Sequence, residues 1–322
     1  MKHAPAAFAL FLLALLHLMP AGSAMAQAEG AELQVLSLQF SGTRAMRLVE
    51  QQVAMGPRVP GSIPHAHTRQ LIRRELAPYV DRIEEQSFYW GEGASRVPMT
   101  NVVGYLHPEA SQLALVAAHY DTRPFGERDT GNRRDLAIPG ANDGASGVAV
   151  LLELARVLAG QLPADRGVVF IFFDGEDYTL SLTTMFIGSR HFAQNLDPTL
   201  KARLDFGVVL DMVGDRGLRI LRESHSEAVA HRVFQALLEL QEALGLNVLS
   251  GTTTITVFDD HLPLNAEGLR VYDLIDFTYD PWHTQEDTPD KCSAQSLQAV
   301  GLLVENLLLN FAAGSFSLRM SQ

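Results

Sequence analysis

Short apolar runs alternate with segments of helical periodicity along this chain of 322 residues, and this alternation constrains the fold most strongly. Runs rich in valine, isoleucine, leucine and phenylalanine predict strands at 101–106, 113–118, 167–173, 206–212 and 269–275. Apolar residues spaced three and four apart predict helices at 44–55, 65–76, 147–158, 227–244 and 294–311. Strands separated by helices indicate an α/β fold, with a mostly parallel mixed sheet covered by helices on both faces.

No linker rich in proline, glycine or serine interrupts this pattern, so we expect a single domain over residues 36–314. The hairpin-like spacing of the first two predicted strands suggests an antiparallel part at one edge of the sheet.

The first 26 residues have the pattern of a secretory signal peptide. A basic start at Lys2 precedes an apolar run, and small residues follow up to Ala26. An uncleaved membrane anchor is the alternative, but the run is slightly short for a membrane span and the small residues favour cleavage after Ala26. We therefore expect an exported protein, periplasmic or secreted, that is not membrane-bound once the signal is removed.

Charge and cysteine content exclude several kinds of partner and site. A formal net charge of −12 argues against a nucleic-acid surface and leaves no basic stripe for anionic lipids. The single cysteine, Cys292, excludes an intrachain disulfide and any cysteine-based structural zinc site. Any metal ion must therefore be bound by histidines and carboxylates.

Such side chains collect after the predicted strands, where the active sites of open α/β sheets lie, and one more, Asp143, lies in a glycine-rich turn just before a predicted helix. Each one has a structural alternative: Asp143 could cap a helix, and Asp211 could accept backbone hydrogen bonds. Together they match the ligands that zinc accepts in catalytic sites. The residues are His119, Asp143, Asp174, Glu176, Asp177, Asp211 and His283.

Several motifs occur in the order expected for the zinc exopeptidases of metallopeptidase family 28, and the chain most resembles the glutaminyl cyclase branch of that family. The resemblance begins at GPRVPGS, residues 56–62, and continues to the last predicted helix. It is carried by AAHYDT, PGANDGASG, FFDGED, GSRHFA, LDMVGD, FDDHLPL and PWHTQEDT. The implied fold is that of the zinc aminopeptidases and glutaminyl cyclases.

The resemblance also implies roles for the residues at the strand ends. Asp143, Asp177 and His283 resemble the three ligands of one zinc ion, and Glu176 resembles the general acid and base beside it. A second zinc ion would be bound with the help of the remaining pair, His119 and Asp211. One zinc per chain is expected for a cyclase and two for an aminopeptidase. Asp174 we interpret as a turn or helix-capping acid.

Two further residues favour the cyclase. Asp259 resembles an acid of the cyclase hydrogen-bond network and is expected to act with Asp211, and Trp282 is expected to form an apolar wall against the substrate. Phe258 is also expected to contact substrate, but its position is polar in animal cyclases and so departs from their pattern. Other differences count against a cyclase. Animal cyclases have glutamate in place of Asp177 and histidine in place of Asp273, and they have a tryptophan that is missing here from the loop after Glu176 and Asp177.

A di-zinc aminopeptidase and a non-catalytic binding protein remain the alternatives. The expected substrates are the N-termini of peptides or proteins, and the expected state is a monomer. In GSRHFA, Arg190 and His191 are expected to hold the loop above the acid pair.

Overall fold

A computed structural model of the chain describes residue 1 and residues 32–319. The predicted signal segment and its cleavage site lie outside the described residues, so export remains a prediction. No helix in the described part of the chain is both long enough and apolar enough to cross a membrane. Glu32–Gln322 cluster as one compact unit.

The main sheet has six strands, in the order β1-β2-β4-β3-β5-β8. Strands β4, β3, β5 and β8 are parallel to one another, whereas β1 and β2 are antiparallel to their neighbours. Two further strands, β6 and β7, form a separate parallel pair. The strands are β1 Arg82–Trp90, β2 Val97–Leu106, β3 Gln112–His119, β4 Arg166–Phe173, β5 Leu204–Asp211, β6 Ile220–Glu223, β7 Leu249–Ile255 and β8 Val271–Ile275.

The antiparallel edge of the sheet is confirmed, but its pairing differs from the hairpin-like spacing in the sequence. Strand β2 does not lie beside β3, although only five residues, 107–111, connect them. Instead β4 lies between the two strands, paired in parallel with β3 and antiparallel with β2. Nearly all residues of these three strands are buried, as expected of strands that are covered on both faces.

Helices cover both faces of the main sheet, as the sequence predicts. Helices α1, α2, α3, α6 and α8 contribute to the larger hydrophobic core on one face, and α4, α5 and α7 contribute to a smaller core on the other. The helices are α1 Gly42–Ala54, α2 Ile63–Leu76, α3 Ala145–Leu158, α4 Ile187–Gln194, α5 Pro198–Arg203, α6 Ser224–Ala243, α7 His261–Ala266 and α8 Ala294–Ala312.

The parallel part of the sheet determines where polar side chains meet. Strands β3, β4, β5 and β8 end at one edge of the sheet, and β3 and β5 end on His119 and Asp211 themselves. Helix α3 begins beside the same edge, and all of its residues except Arg156 are buried. The segment preceding α3 therefore brings Asp143 to the strand ends.

Candidate metal centre

His119, Asp143 and Asp211 form one group of possible metal ligands. The Nε2 atom of His119 lies 3.2 Å from Oδ1 of Asp143 and 3.2 Å from Oδ1 of Asp211. All three side chains are buried. The sequence predicted that these residues approach one another, and the structure brings them into direct contact.

Asp143, Asp177 and His283 form a second group. Nε2 of His283 lies 3.5 Å from Oδ2 of Asp143 and 3.2 Å from Oδ1 of Asp177. Within each group, the potential ligand atoms all lie within 4.8 Å of one another. Asp143 belongs to both groups and presents a different oxygen to each histidine, which is the arrangement of a carboxylate that could bridge two ions.

The hydrogen bonding of these residues fits a metal ion. Oδ2 of Asp143 and Oδ2 of Asp177 are buried and have no hydrogen-bond partner in the part of the chain that the structure describes. Buried carboxylate oxygens are costly to leave without a partner or a cation. Two carboxylates and one histidine would supply three ligands and leave the fourth position of a tetrahedral zinc ion to water or substrate, as in catalytic zinc sites.

Asp143 is positioned by its backbone rather than by capping a helix. Gly144 is the N-cap residue of α3, and no side chain caps this helix. The backbone N–H of Asp143 instead donates to Oδ2 of Asp287 at 3.1 Å. A side chain at position 144 would clash with the His119 ring, since an added Cβ would lie 2.8 Å from Nδ1. Gly144 therefore allows the ligand-bearing turn to pack against this histidine.

Asp174 lies in the bends that follow β4, as expected of a turn residue, but its side chain caps no helix among the described residues. Its side chain accepts hydrogen bonds from the backbone N–H of Thr100 at 2.6 Å and from the hydroxyl of Tyr120 at 2.9 Å. His65 Nε2 lies 2.8 Å from its other oxygen. These partners are distant in sequence, so Asp174 joins β2, β4 and α2 beneath the metal centre.

Asp121 is a site residue that the sequence analysis did not single out. Its two oxygens accept the backbone N–H groups of Glu176 and Asp177, at 3.1 and 3.2 Å. The side chain also lies 3.6 Å from Nδ1 of His119. It therefore fixes the turn that carries the acid pair relative to a ligand candidate. Its position two residues after His119, in HYD, was the available signal.

Glu176 and Asp177 are adjacent in sequence but lie in opposite electrostatic environments. Burial, together with the neighbouring charge of Asp177, raises the pKa of Glu176 well above its usual value. For Asp177, burial is outweighed by His283 and Arg123, which lower its pKa. Glu176 therefore holds a proton more readily, whereas Asp177 is a permanent carboxylate suited to metal binding.

His283 lies in the loop that follows β8 and has a left-handed backbone, with φ of 57°. Non-glycine residues with this conformation are uncommon and often occur at functional sites. Its Nδ1 is 2.5 Å from Oε1 of Glu127. When Nδ1 donates to Glu127, the lone pair of Nε2 is directed towards Asp143 and Asp177, as a metal ligand requires.

The residues predicted to favour a cyclase are only partly brought together. Asp259 is 3% exposed, and its Oδ2 has no hydrogen-bond partner among the described residues. Burial and the charges of Asp273 and Asp211 raise its pKa well above the usual value. The Trp282 ring packs against the imidazole of His283, with centroids 4.1 Å apart, and is half-buried.

Phe258 is more peripheral. Half of it is exposed, and its ring contacts the edge of His225 at a centroid distance of 5.6 Å. Its contact with substrate stays a prediction.

The two residues expected to hold the loop after the acid pair behave differently. Arg190 donates to the backbone carbonyls of Met185 and Leu182, at 2.9 and 3.0 Å, and so binds that loop. His191 stacks on Phe88 of β1 instead, with centroids 4.2 Å apart. The expectation for His191 was wrong because its position on α4 turns the ring towards the sheet edge.

Comparisons with known proteins show the family to which this chain belongs. The sequence profile of Peptidase family M28 matches residues 101–308, which include every candidate ligand. Aminopeptidase YwaD of Bacillus subtilis is 30% identical over 218 residues, which cover 63% of this chain and 43% of that protein. The glutaminyl-peptide cyclotransferase of Gloydius blomhoffii is 27% identical over 290 residues, covering 79% of this chain and 77% of that protein.

The fold of this chain is also similar to that of a solved glutaminyl cyclase structure. Porphyromonas gingivalis glutaminyl cyclase superimposes with a TM-score of 0.79 at 30% sequence identity. The superposition covers 86% of this chain and 99% of the cyclase chain.

Proposed function

Because the chain belongs to Peptidase family M28, we propose that it is a zinc-dependent glutaminyl-peptide cyclotransferase, which converts an N-terminal glutamine to pyroglutamate and releases ammonia. The observation that carries this proposal is the group of buried acids around Glu176. Burial raises the pKa of Asp259 and of Glu176; the charge of Asp211 adds to the rise at Asp259, and the charge of Asp259 adds to the rise at Glu176. Cyclisation requires a base together with groups that orient the amine and the amide nitrogen, and buried acids beside Glu176 could supply them.

The reaction forms one bond and breaks one. The α-amino nitrogen of the substrate attacks the side-chain amide carbon, and the amide nitrogen leaves as ammonia. Glu176 would accept the proton from the amine and deliver it to the departing nitrogen, as expected of a buried carboxyl with a raised pKa. A zinc ion bound by Asp143, Asp177 and His283 would polarise the amide carbonyl.

Other side chains would position the substrate. Oδ2 of Asp259 has no hydrogen-bond partner among residues 32–319 and would accept a hydrogen bond from a substrate N–H group. Asp211, held by Nε2 of His119 at 3.2 Å, would accept another from the side-chain amide. The half-buried ring of Trp282 offers an apolar wall for the methylene groups of glutamine. We propose the N-termini of peptides or proteins as the substrates.

A co-catalytic aminopeptidase is the second candidate, and the bridging position of Asp143 favours it. Each of its oxygens faces a separate group of ligands, and such pairs of sites can hold two metal ions. In that reaction Glu176 would deprotonate water instead of an amine. A non-catalytic binding protein is disfavoured, because the candidate ligands and Glu176 all converge at one edge of the sheet.

Two substrates separate these reactions. The zinc-loaded protein is incubated with a Gln-Ala peptide and, separately, with leucine p-nitroanilide. We expect ammonia and a pyroglutamyl peptide from the first and no nitroaniline from the second. A Gln-Ala peptide with an acetylated N-terminus is the control, because it lacks the attacking amine. Free glutamine without ammonia would contradict the cyclase and support the aminopeptidase.

A further inference from the structure

Arg123 and Glu127, two charged residues of the loop after β3, connect two of the metal-ligand candidates. Arg123 Nη1 donates to Oδ1 of Asp177 at 2.7 Å, and its Nε donates to Oε2 of Glu127 at 3.0 Å. Glu127 Oε1 in turn accepts from Nδ1 of His283 at 2.5 Å. We call Arg123 and Glu127 the Arg–Glu bridge.

The bridge leaves one ligand atom of each candidate facing the metal centre. It occupies Nδ1 of His283 and Oδ1 of Asp177, while Nε2 of the histidine points inward and Oδ2 of the aspartate has no hydrogen-bond partner in the described chain. Oδ1 of Asp177 lies 3.2 Å from His283 Nε2, so the four side chains form a closed ring. The Arg123, Asp177 and His283 side chains are each at most 4% exposed.

We propose that the Arg–Glu bridge positions Asp177 and His283 for zinc binding, so that zinc affinity depends on Arg123 and Glu127. A carboxylate on the second nitrogen of a ligating histidine fixes its tautomer and ring orientation. Here the Glu127 carboxylate accepts a hydrogen bond from Arg123, which also donates to the second ligand candidate, Asp177. Loss of Glu127 therefore frees His283 and removes one partner of Arg123, and loss of Arg123 frees Asp177 and removes one partner of Glu127.

This arrangement matters because His283 has an unfavourable backbone conformation and lies in a loop. Contacts that overdetermine such a residue keep its side chain in place. The loop carrying the bridge also binds the backbone near His283, since Arg128 N–H donates to the His283 carbonyl at 3.4 Å. The inference rests on the zinc centre proposed above, but not on the choice between cyclase and peptidase.

An exposed ion pair between the same two loops provides a matched control. Arg133 Nη2 donates to Oε1 of Glu286 at 2.6 Å, and both side chains are about half exposed. Glu286→Gln removes an arginine–carboxylate contact between the loops without touching a ligand candidate. Any effect of general loop tethering should therefore appear in this variant as well.

The test measures zinc affinity directly. Zinc is titrated into the metal-free wild type, Glu127→Gln, Arg123→Met and Glu286→Gln in competition with a chromophoric chelator. We expect the Kd for zinc to rise about 10- to 100-fold in the first two variants. It should change by less than about fivefold in Glu286→Gln, since exposed ion pairs contribute about 0–1 kcal/mol. Arg123→Lys is the substitute if Arg123→Met fails to fold.

A second readout separates positioning from stability. In zinc-loaded protein labelled with ¹⁵N-histidine, the Nδ1 proton of His283, assigned from a His283→Ala spectrum, should be protected from solvent exchange in the wild type, because Glu127 accepts it, and should exchange faster in Glu127→Gln. If the zinc Kd of Glu127→Gln and Arg123→Met equals that of Glu286→Gln, the positioning role of the Arg–Glu bridge is refuted, while the zinc-dependent function is not. A wild type that binds no zinc would overturn both the bridge and the zinc-dependent function.

Discussion

Replacing Asp174 with alanine should destabilise the fold strongly, although this residue is only two positions from Glu176. Its carboxylate accepts hydrogen bonds from Thr100 and Tyr120 and contacts His65, and it is fully buried. Each lost hydrogen bond costs about 0.5–1.5 kcal/mol, and bonds to a charged group cost more. Three such contacts predict that the free energy of unfolding falls by about 3–5 kcal/mol.

Urea unfolding of the zinc-free proteins measures this loss. Asp165→Ala is the control, since its carboxylate is 63% exposed and its ion pair with Arg166 should contribute only about 0–1 kcal/mol. If Asp174→Ala were destabilised no more than Asp165→Ala, the role assigned to Asp174 would be refuted.

Three further predictions concern the site and its surroundings. Glu176→Gln should keep its zinc but lose about 10²- to 10⁴-fold in kcat/KM, and full activity would refute its proton-transfer role. Removing zinc with a chelator should lower the unfolding midpoint, and zinc at about 1,000 times its Kd should restore about 4 kcal/mol; an unchanged midpoint would contradict binding to the native state. Glu223 and His261 form a buried pair, and burial disfavours the charged form of each. Their contact nevertheless lowers the pKa of Glu223 to about 2, and the contacts of His261 with Asp273 and Glu223 raise the pKa of His261 to about 10. The stability that Glu223 contributes should be lost as pH falls from about 4.5 towards 2, and the stability that His261 contributes should be lost as pH rises from about 6.5 through 10. If the urea midpoint of His261→Ala changed with pH as much as that of the wild type, this prediction would be contradicted.

The sequence predicted the strands of the buried core because such strands are apolar along their whole length. It did not predict β1, whose residues alternate between exposed and half-buried and include Arg82, Glu84 and Glu85. An edge strand with this composition gives little apolar signal. The order of strands also had to come from tertiary packing, because β4 separates two strands that are adjacent in sequence.

In the candidate site, too, some residues could be predicted from the sequence and others could not. Residues at strand ends, such as His119 and Asp211, could be predicted from the parallel sheet, and the motifs indicated the others. The residues that position them could not, because their partners are distant in the chain: Asp287 binds the backbone of Asp143, 144 residues away. Local pattern carries no information about such contacts.

The central claim is that Asp143, Asp177 and His283 bind zinc while Glu176 remains free to transfer protons. Anomalous diffraction at the zinc absorption edge, from crystals of the zinc-loaded protein, tests this most directly. We predict one zinc peak bound by these three side chains, with the Glu176 carboxylate beside it but not coordinated. A peak bound by Glu176, or no peak at these residues, would contradict the account.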